Sequence, residues 1–221
     1  VQIRFAFAAY ARAANGGGGM AQRLEAPQAP FETSDPANPG GGGGRQDRPG
    51  TPCDVEVPSD LDLRAVAGTI IGESTPQSYI GRRQYRDGDD YGQPTGEVIT
   101  AEHLYLEAVL MASVILNRAN RSGQSLQDVV SARGQFLGYR SGMDVLSSGN
   151  FGVNGSAECE RLRNAVKAVN EVTRSGVIND SIFNWRGVIQ QRRVRRGRRV
   201  ITQGFIRRQG GAIRVANTDF F

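Results

Sequence analysis

The stretch Leu104 to Ala119, LYLEAVLMASVILNRA, is apolar on almost every side when it is drawn as a helix. A helix without a polar face has to be covered all round, so it belongs in the middle of a domain. Thr100 precedes it at a position suited to an N-cap. We therefore expect this segment to form the central helix of the folded part.

A second, shorter apolar run precedes the central helix and leads to a glutamate. Ser59 followed by Asp62 resembles a capping box, and apolar residues from Leu63 to Ile71 then recur at helical spacing. The run predicts a helix that ends at Gly72, which leaves Glu73 half-buried at its end. Partial burial disfavours the charged carboxylate and can hold a proton on it near neutral pH. The alternative is an ordinary surface glutamate at a helix end.

Two further helices and an extended region complete the pattern. Ser125 and Asp128 predict the start of a short helix, and a fourth helix follows Ser156 and stops at Gly176. After Ile178 the helical period is lost, and short strands or hairpins are expected. The predicted fold class is α+β, mainly α, with a short β region near the C-terminus.

The segment Gln77 to Val98, between the first helix and the central helix, alternates charged residues with glycines. Pro76 prevents a simple continuation of the first helix. Such a composition is typical of an exposed insertion or a lid.

Residues 1–52 differ in composition from the rest of the chain. Residues 1–14 predict a short amphipathic helix that would need a partner surface, and glycine runs and prolines dominate from Asn15 to Pro52. A segment with so few apolar residues cannot fold alone and is typical of a flexible tether. We therefore expect a docking arm and Gly/Pro-rich linker at 1–52 and one domain at 53–221.

The charge of the chain is basic, with 27 Lys and Arg residues, a net charge of +5 and a pI of about 9.7. The arginine-rich segment Arg186 to Arg208 would attract polyanions, but no recognised nucleic-acid motif accompanies it, so nucleic acid ranks last among the partners. His103 is the only histidine. Together with two cysteines it leaves little material for a metal site or a Cys/His nucleophile, and no metal or cofactor is expected. No run approaches the roughly 20 apolar residues of a membrane span.

The two cysteines are Cys53 and Cys159. Cysteines in a chain that works outside the cytoplasm often pair, and we expect these two to lie close together and to tie the start of the domain to the fourth helix. Two separate buried thiols are the alternative.

Several short motifs follow one another in a recognisable order. They are Gly72-Glu73-Ser74, Val114-Ile115-Leu116-Asn117-Arg118, Val129-Val130 leading to Gln135-Phe136, Phe183-Asn184-Trp185 and Asp219-Phe220-Phe221. Together they resemble the catalytic domain of spore cortex-lytic enzymes, a cell wall hydrolase family that also occurs in phage lysins, over about Leu61 to Phe221. The chain departs from the family in two ways. Roughly thirty residues separate Glu73 from the central helix where the family has a short connection, and Asp219 stands where the family typically has a histidine.

The resemblance implies a lysozyme-like fold and cleavage of the peptidoglycan bond between N-acetylmuramic acid and N-acetylglucosamine. Glu73 matches the position of the single glutamate general acid of a lytic transglycosylase or muramidase. A hydrolase often adds a second carboxylate. The candidates for that role, each of which is alternatively a solvated loop charge or a helix cap, are Asp87, Asp89, Asp90, Glu97, Glu102 and Glu107.

Amide and aromatic side chains suit sugars, and four of them are candidates for lining the glycan groove: Gln135, Phe136, Tyr139 and Trp185. Phe136 and Trp185 would equally suit the core. Asn117 and Arg118 are expected to be structural, because an arginine that ends a buried helix can bond carbonyls of its neighbours.

Two other functions remain open. One is a structural virion (tail) protein whose lysozyme-like domain serves mainly as scaffold and docks on other tail proteins through residues 1–52. The other is an Arg-rich protein that binds polyanions or nucleic acid. The glycine-rich tether and the arginine-rich ending favour a phage virion, with use in entering the host or in lysis, and export to the bacterial cell envelope is the alternative.

Overall fold

The computed structural model describes residues 50–86, 89, 92–196, 199–206 and 213–221, with the backbone alone for the strands between 189 and 206. The predicted docking arm at residues 1–14 and the tether up to residue 49 lie outside the described residues. The helices are α1 (Leu61–Glu73), α2 (Ala101–Ser122), α3 (Leu126–Ser131), α4 (Tyr139–Ser148) and α5 (Ala157–Ser175), with a 3₁₀ turn at Gln77–Tyr79. The strands are β1 (Trp185–Gly187), β2 (Ile189–Arg196), β3 (Arg199–Ile206), β4 (Ile213–Val215) and β5 (Thr218–Phe220).

The helix α2 is the central one, which confirms the prediction from its apolar sequence. Its buried positions run from Leu104 to Ala119 and join the main hydrophobic core. The helix packs against α5 and α3, and α1 packs against α3, α4 and α5. The core therefore lies between α2 and the helices around it.

Side-chain caps fix where most of the helices begin. Thr100, Ser125 and Ser156 cap α2, α3 and α5, as predicted, and each accepts a hydrogen bond from a backbone N–H of the first turn. The prediction for α1 was wrong by one residue. Asp60 rather than Ser59 is the N-cap, accepting from the Leu63 N–H at 2.9 Å, and the helix continues through Glu73.

The sequence pattern missed α4. Gly142 and several serines weaken its intrinsic helical preference, and the helix owes its place to a very close contact with α1. A Cβ atom built on Gly142 would lie 1.7 Å from the Gly68 oxygen, and one on Gly72 would lie 1.9 Å from the Gly138 oxygen. Because each pair is spaced by four residues, the glycines share one face of their helix, and the two backbones meet without side chains between them.

A small antiparallel sheet near the C-terminus follows the helices, as the loss of helical period predicted. The strand β5 lies between β1 and β4, with Phe220 opposite both Trp185 and Ile213. The strands β2 and β3 form a separate antiparallel hairpin. The described chain is thus mainly helical with a small β region, as expected for its fold class.

The segment from Gln77 to Val98 is only partly the exposed insertion that its composition suggested. Gln84 and Tyr85 are buried. The Tyr85 N–H donates to the Asn217 side chain at 3.2 Å, and Arg214 donates to the Tyr85 carbonyl at 3.1 Å. The segment is therefore held against β4 and the turn that follows it, because its backbone polar groups find partners there.

Candidate active site

Glu73 is the last residue of α1 and is half-buried. Its Oε1 atom accepts a hydrogen bond from the backbone N–H of Gly138, the N-cap residue that precedes α4. A helix N-terminus offers N–H groups without helical partners, and it favours a carboxylate there. The glycine contact between α1 and α4 brings these two groups together.

The other carboxylate oxygen of Glu73, Oε2, makes no hydrogen bond to the residues that the structure describes. One oxygen is therefore anchored, and the second remains for another partner. A carboxyl group held in this way can present a proton from Oε2 in a fixed direction.

The two residues after Glu73 are held by ionisable side chains from two other helices. Arg161 of α5 donates to the Ser74 carbonyl at 2.9 Å. Glu107 of α2 accepts from the Thr75 N–H at 2.8 Å and from the Thr75 hydroxyl at 2.7 Å. The chain is thus fixed immediately beyond the candidate acid.

Glu107 is completely buried, with 0% exposure. Its Oε1 atom also accepts from the Thr218 hydroxyl of β5 at 2.5 Å. Burial raises the pKa of Glu107 to about 7, against the opposing effects of the Thr218 and Thr75 hydrogen bonds and the positive charge of Arg161. Through these hydrogen bonds the Glu107 carboxyl group connects α2 to β5 and to the residues that follow α1.

The candidates for a second carboxylate have different fates. Glu107 was expected to be a solvated charge or a helix cap unless catalytic, and the structure shows that it is neither solvated nor a cap. Asp89 accepts from the Arg86 and Thr95 backbone N–H groups and from the Thr95 hydroxyl, and these bonds lower its pKa. Glu97 and Glu102 are exposed. Asp87 and Asp90 lie outside the described residues.

The predicted groove residues gather around the loop between α3 and α4. Phe136 is buried, and its ring stacks on Trp185 with 4.8 Å between centroids. Tyr139 and Phe136 line one cavity of about 430 Å³, and Gln135 lines another of about 450 Å³. Neither cavity has Glu73 among its lining residues. The predicted groove residues are connected to Glu73 through Gly138, which lies between Phe136 and Tyr139 in the chain and donates a hydrogen bond to Glu73.

Asn117 and Arg118 hold the end of α2 to the segment before β1. The Asn117 side chain donates to the Asn179 and Ile182 carbonyls, both at 2.8 Å. Arg118 donates to the Phe183 carbonyl at 2.6 Å and to the Asn184 side chain. The acceptors lie in a connecting segment rather than at the ends of neighbouring helices.

The structure also shows where the two cysteines and Asp219 lie. Cys53 and Cys159 are joined in a disulfide with 5.6 Å between their Cα atoms. Asp219 is buried and forms an ion pair with Arg214 at 2.6 Å. It therefore supports the sheet and is not open to a substrate.

Sequence reasoning missed Gly138, Thr75 and Arg161. The spacing of Gly68 and Gly72 and of Gly138 and Gly142 was a signal that two helices could approach closely. Thr75 and Arg161 carried no comparable signal, because their role depends on a contact with residues far along the chain.

Within the described part of the chain, no helix has the length and apolar character needed to cross a bilayer. Comparison with models of protein families, with curated proteins and with solved structures found no match for this chain.

Proposed function

We propose that this protein cleaves peptidoglycan at the bond between N-acetylmuramic acid and N-acetylglucosamine, with Glu73 as the single general acid on a lysozyme-like domain. The proposal depends on one observation, the burial and hydrogen bonding of the Glu73 side chain. It is half-buried, Oε1 is anchored by the Gly138 N–H, and Oε2 is left without a partner among the described residues.

In the proposed reaction the Oε2 proton of Glu73 moves to the glycosidic oxygen as the bond from that oxygen to C1 of the muramic acid breaks. Positive charge develops on the sugar ring. In a transglycosylase the 6-hydroxyl of the same sugar then adds to C1, and its proton returns to Glu73. In a hydrolase, water adds instead and leaves a reducing end.

The fates of two candidate carboxylates support the transglycosylase route. Glu107 has no exposed surface, and the Asp89 carboxylate is occupied by its own loop. Glu107 is therefore not available to activate a water or to attack the sugar, and the Asp89 oxygens already accept three hydrogen bonds within the loop. A reaction in which the substrate supplies its own nucleophile needs no second carboxylate.

The test is release of muropeptides from purified sacculi by the parent protein and by Glu73→Gln. Glutamine keeps the shape and can still accept from Gly138, but it has no acidic proton, so the rate should fall by roughly 10² to 10⁴. Glu158→Gln is the matched control, because Glu158 is an exposed carboxylate at the start of α5. It should retain the parent rate.

Circular dichroism and thermal melting would show that both variants are folded. Products with 1,6-anhydro ends would identify transglycosylation, and reducing ends would identify hydrolysis. A folded Glu73→Gln protein that works at the parent rate would overturn the assignment of the acid.

A further inference from the structure

A cavity of about 450 Å³ lies at the C-terminal end of α2, and two arginines line it. Arg118 comes from the penultimate turn of α2 and Arg121 from its last turn. Their neighbours on the wall are neutral: Ser122, Gln124, Gln135 and Asn184 are polar. No carboxylate is among the residues that line the cavity.

Arg118 is a half-buried cation whose partners are all uncharged. Its guanidinium bonds the Phe183 carbonyl and the side chains of Gln135 and Asn184, and it lies 5.0 Å from the centre of the Phe136 ring. Burial lowers the pKa of Arg118. A charge removed from water without a counter-charge is unfavourable, and an anion in the cavity would relieve that cost.

Arg121 adds a second charge beside the first. Its guanidinium lies 5.0 Å from the centre of the Phe183 ring, and it forms no ion pair with a carboxylate among the residues described. Phe183 therefore contacts both arginines: its ring packs against the Arg121 guanidinium, and its carbonyl oxygen accepts a hydrogen bond from Arg118. A guanidinium group suits the paired oxygens of a carboxylate, and two such groups line this cavity.

The cavity is also close to the candidate acid along the chain. Gln135 lines it, and Gly138, which bonds Glu73, follows three residues later. Three residues span at most roughly 10 Å. A group bound in the cavity can therefore belong to the same substrate molecule as the bond at Glu73.

We propose that Arg118 and Arg121 form a subsite for a carboxylate of the peptide that the muramic acid carries. This inference rests on the proposed function, since it names the part of that substrate which the cavity receives. The amides of Gln124 and Gln135 supply donors and acceptors for the peptide bonds next to the carboxylate.

The test is a binding titration of the folded protein, followed by NMR up to millimolar ligand, and it needs no cleavage. The probe is an N-acetylmuramyl dipeptide with one free carboxylate, compared with the same compound carrying an amide in its place. The free acid should bind more tightly than the amide, and more weakly as salt increases. Arg121→Gln should weaken binding of the acid by roughly tenfold and leave the amide unaffected.

Arg174→Gln is the matched control, because Arg174 is an exposed arginine in the last turn of α5. It should bind the acid as the parent does. Equal binding of acid and amide, no loss in Arg121→Gln, or no binding at all would overturn the subsite. Inorganic phosphate and a short oligonucleotide serve as further probes, and an Arg121-dependent preference for either over the carboxylate would also overturn it.

The two proposals can fail separately. Muropeptide release that depends on Glu73, without acid-specific binding, would refute the subsite alone. Acid-specific binding without any muropeptide release would refute the cleavage reaction and leave a carboxylate site at the end of α2.

Discussion

Burial favours the neutral form of Glu107, and two of its partners can accommodate the proton, although the hydrogen bonds and Arg161 act in the other direction. Its Oε2 accepts from the Thr75 N–H, which can only donate, whereas both partners of Oε1 are hydroxyl groups, which can donate or accept. A proton on Oε1 would therefore find an acceptor without any change in the backbone. The proton that burial favours on Glu107 near neutral pH thus lies on a group that has no contact with solvent.

The raised pKa of Glu107 predicts a pH-dependent stability. The folded protein holds this proton more tightly than the unfolded chain does, so the stabilisation is complete below about 4.5 and is lost as the pH rises to about 7. A shift of this size corresponds to about 3 kcal/mol of unfolding free energy.

Denaturant unfolding of the parent and of Glu107→Gln between pH 4 and pH 8 would measure this effect. Glutamine can donate from one end to both hydroxyls and accept the Thr75 N–H at the other, so Glu107→Gln should show a weaker dependence on pH. The two proteins should differ most in slope between pH 4.5 and pH 7. Parallel curves over that range would show that Glu107 does not titrate there.

At the scale of elements, the contact between α1 and α4 determines where Glu73 lies. A methyl group on Gly142 would overlap the Gly68 carbonyl. Gly142→Ala should therefore push the helices apart and lower the unfolding free energy by about 1 to 3 kcal/mol, although alanine is the better helix former. It should also reduce muropeptide release, because the Gly138 N–H moves away from Glu73.

Ser147→Ala is the control for Gly142→Ala, since Ser147 is an exposed position of the same helix. It should leave both stability and activity close to those of the parent. Thermal melting and the sacculus assay give the two measurements. A Gly142→Ala protein with parent stability would mean that α1 and α4 can separate at no cost.

The elements that sequence analysis predicted are those with strong local signals. The starts of three helices are predictable because a hydroxyl side chain caps each of them, at Thr100, Ser125 and Ser156. The helix α2 is recognisable from its apolar residues alone. The helix α4 could not be found in this way, because α1 supplies the surface that stabilises it. Glu107 was misjudged for a related reason, since its hydroxyl and N–H partners lie at Thr75 and Thr218, distant in sequence.

At the scale of the whole molecule, the Cys53–Cys159 disulfide closes a loop with a sequence separation of 106 residues. Replacing both cysteines by serine should lower the unfolding free energy by about 2 to 5 kcal/mol, because the unfolded chain regains the conformations that the cross-link removes. Denaturant unfolding of the parent with and without reductant, and of the double variant, would measure it. Reductant should destabilise the parent and leave the double variant unchanged, and an equal response of the two would exclude the bond as the cause.

The position of that disulfide also decides how the domain carries a mechanical load. Residues just after the first described position are attached at the start of α5: the Cys53 N–H donates to the Gly152 carbonyl at 3.1 Å, and Asp54 pairs with Arg163 at 2.9 Å. A pull on the chain at residue 50 would pass through the covalent bond into α5 before it reached α1, although α1 follows directly in sequence. The Glu73–Gly138 contact lies outside that path, because the disulfide bypasses α1 and α4.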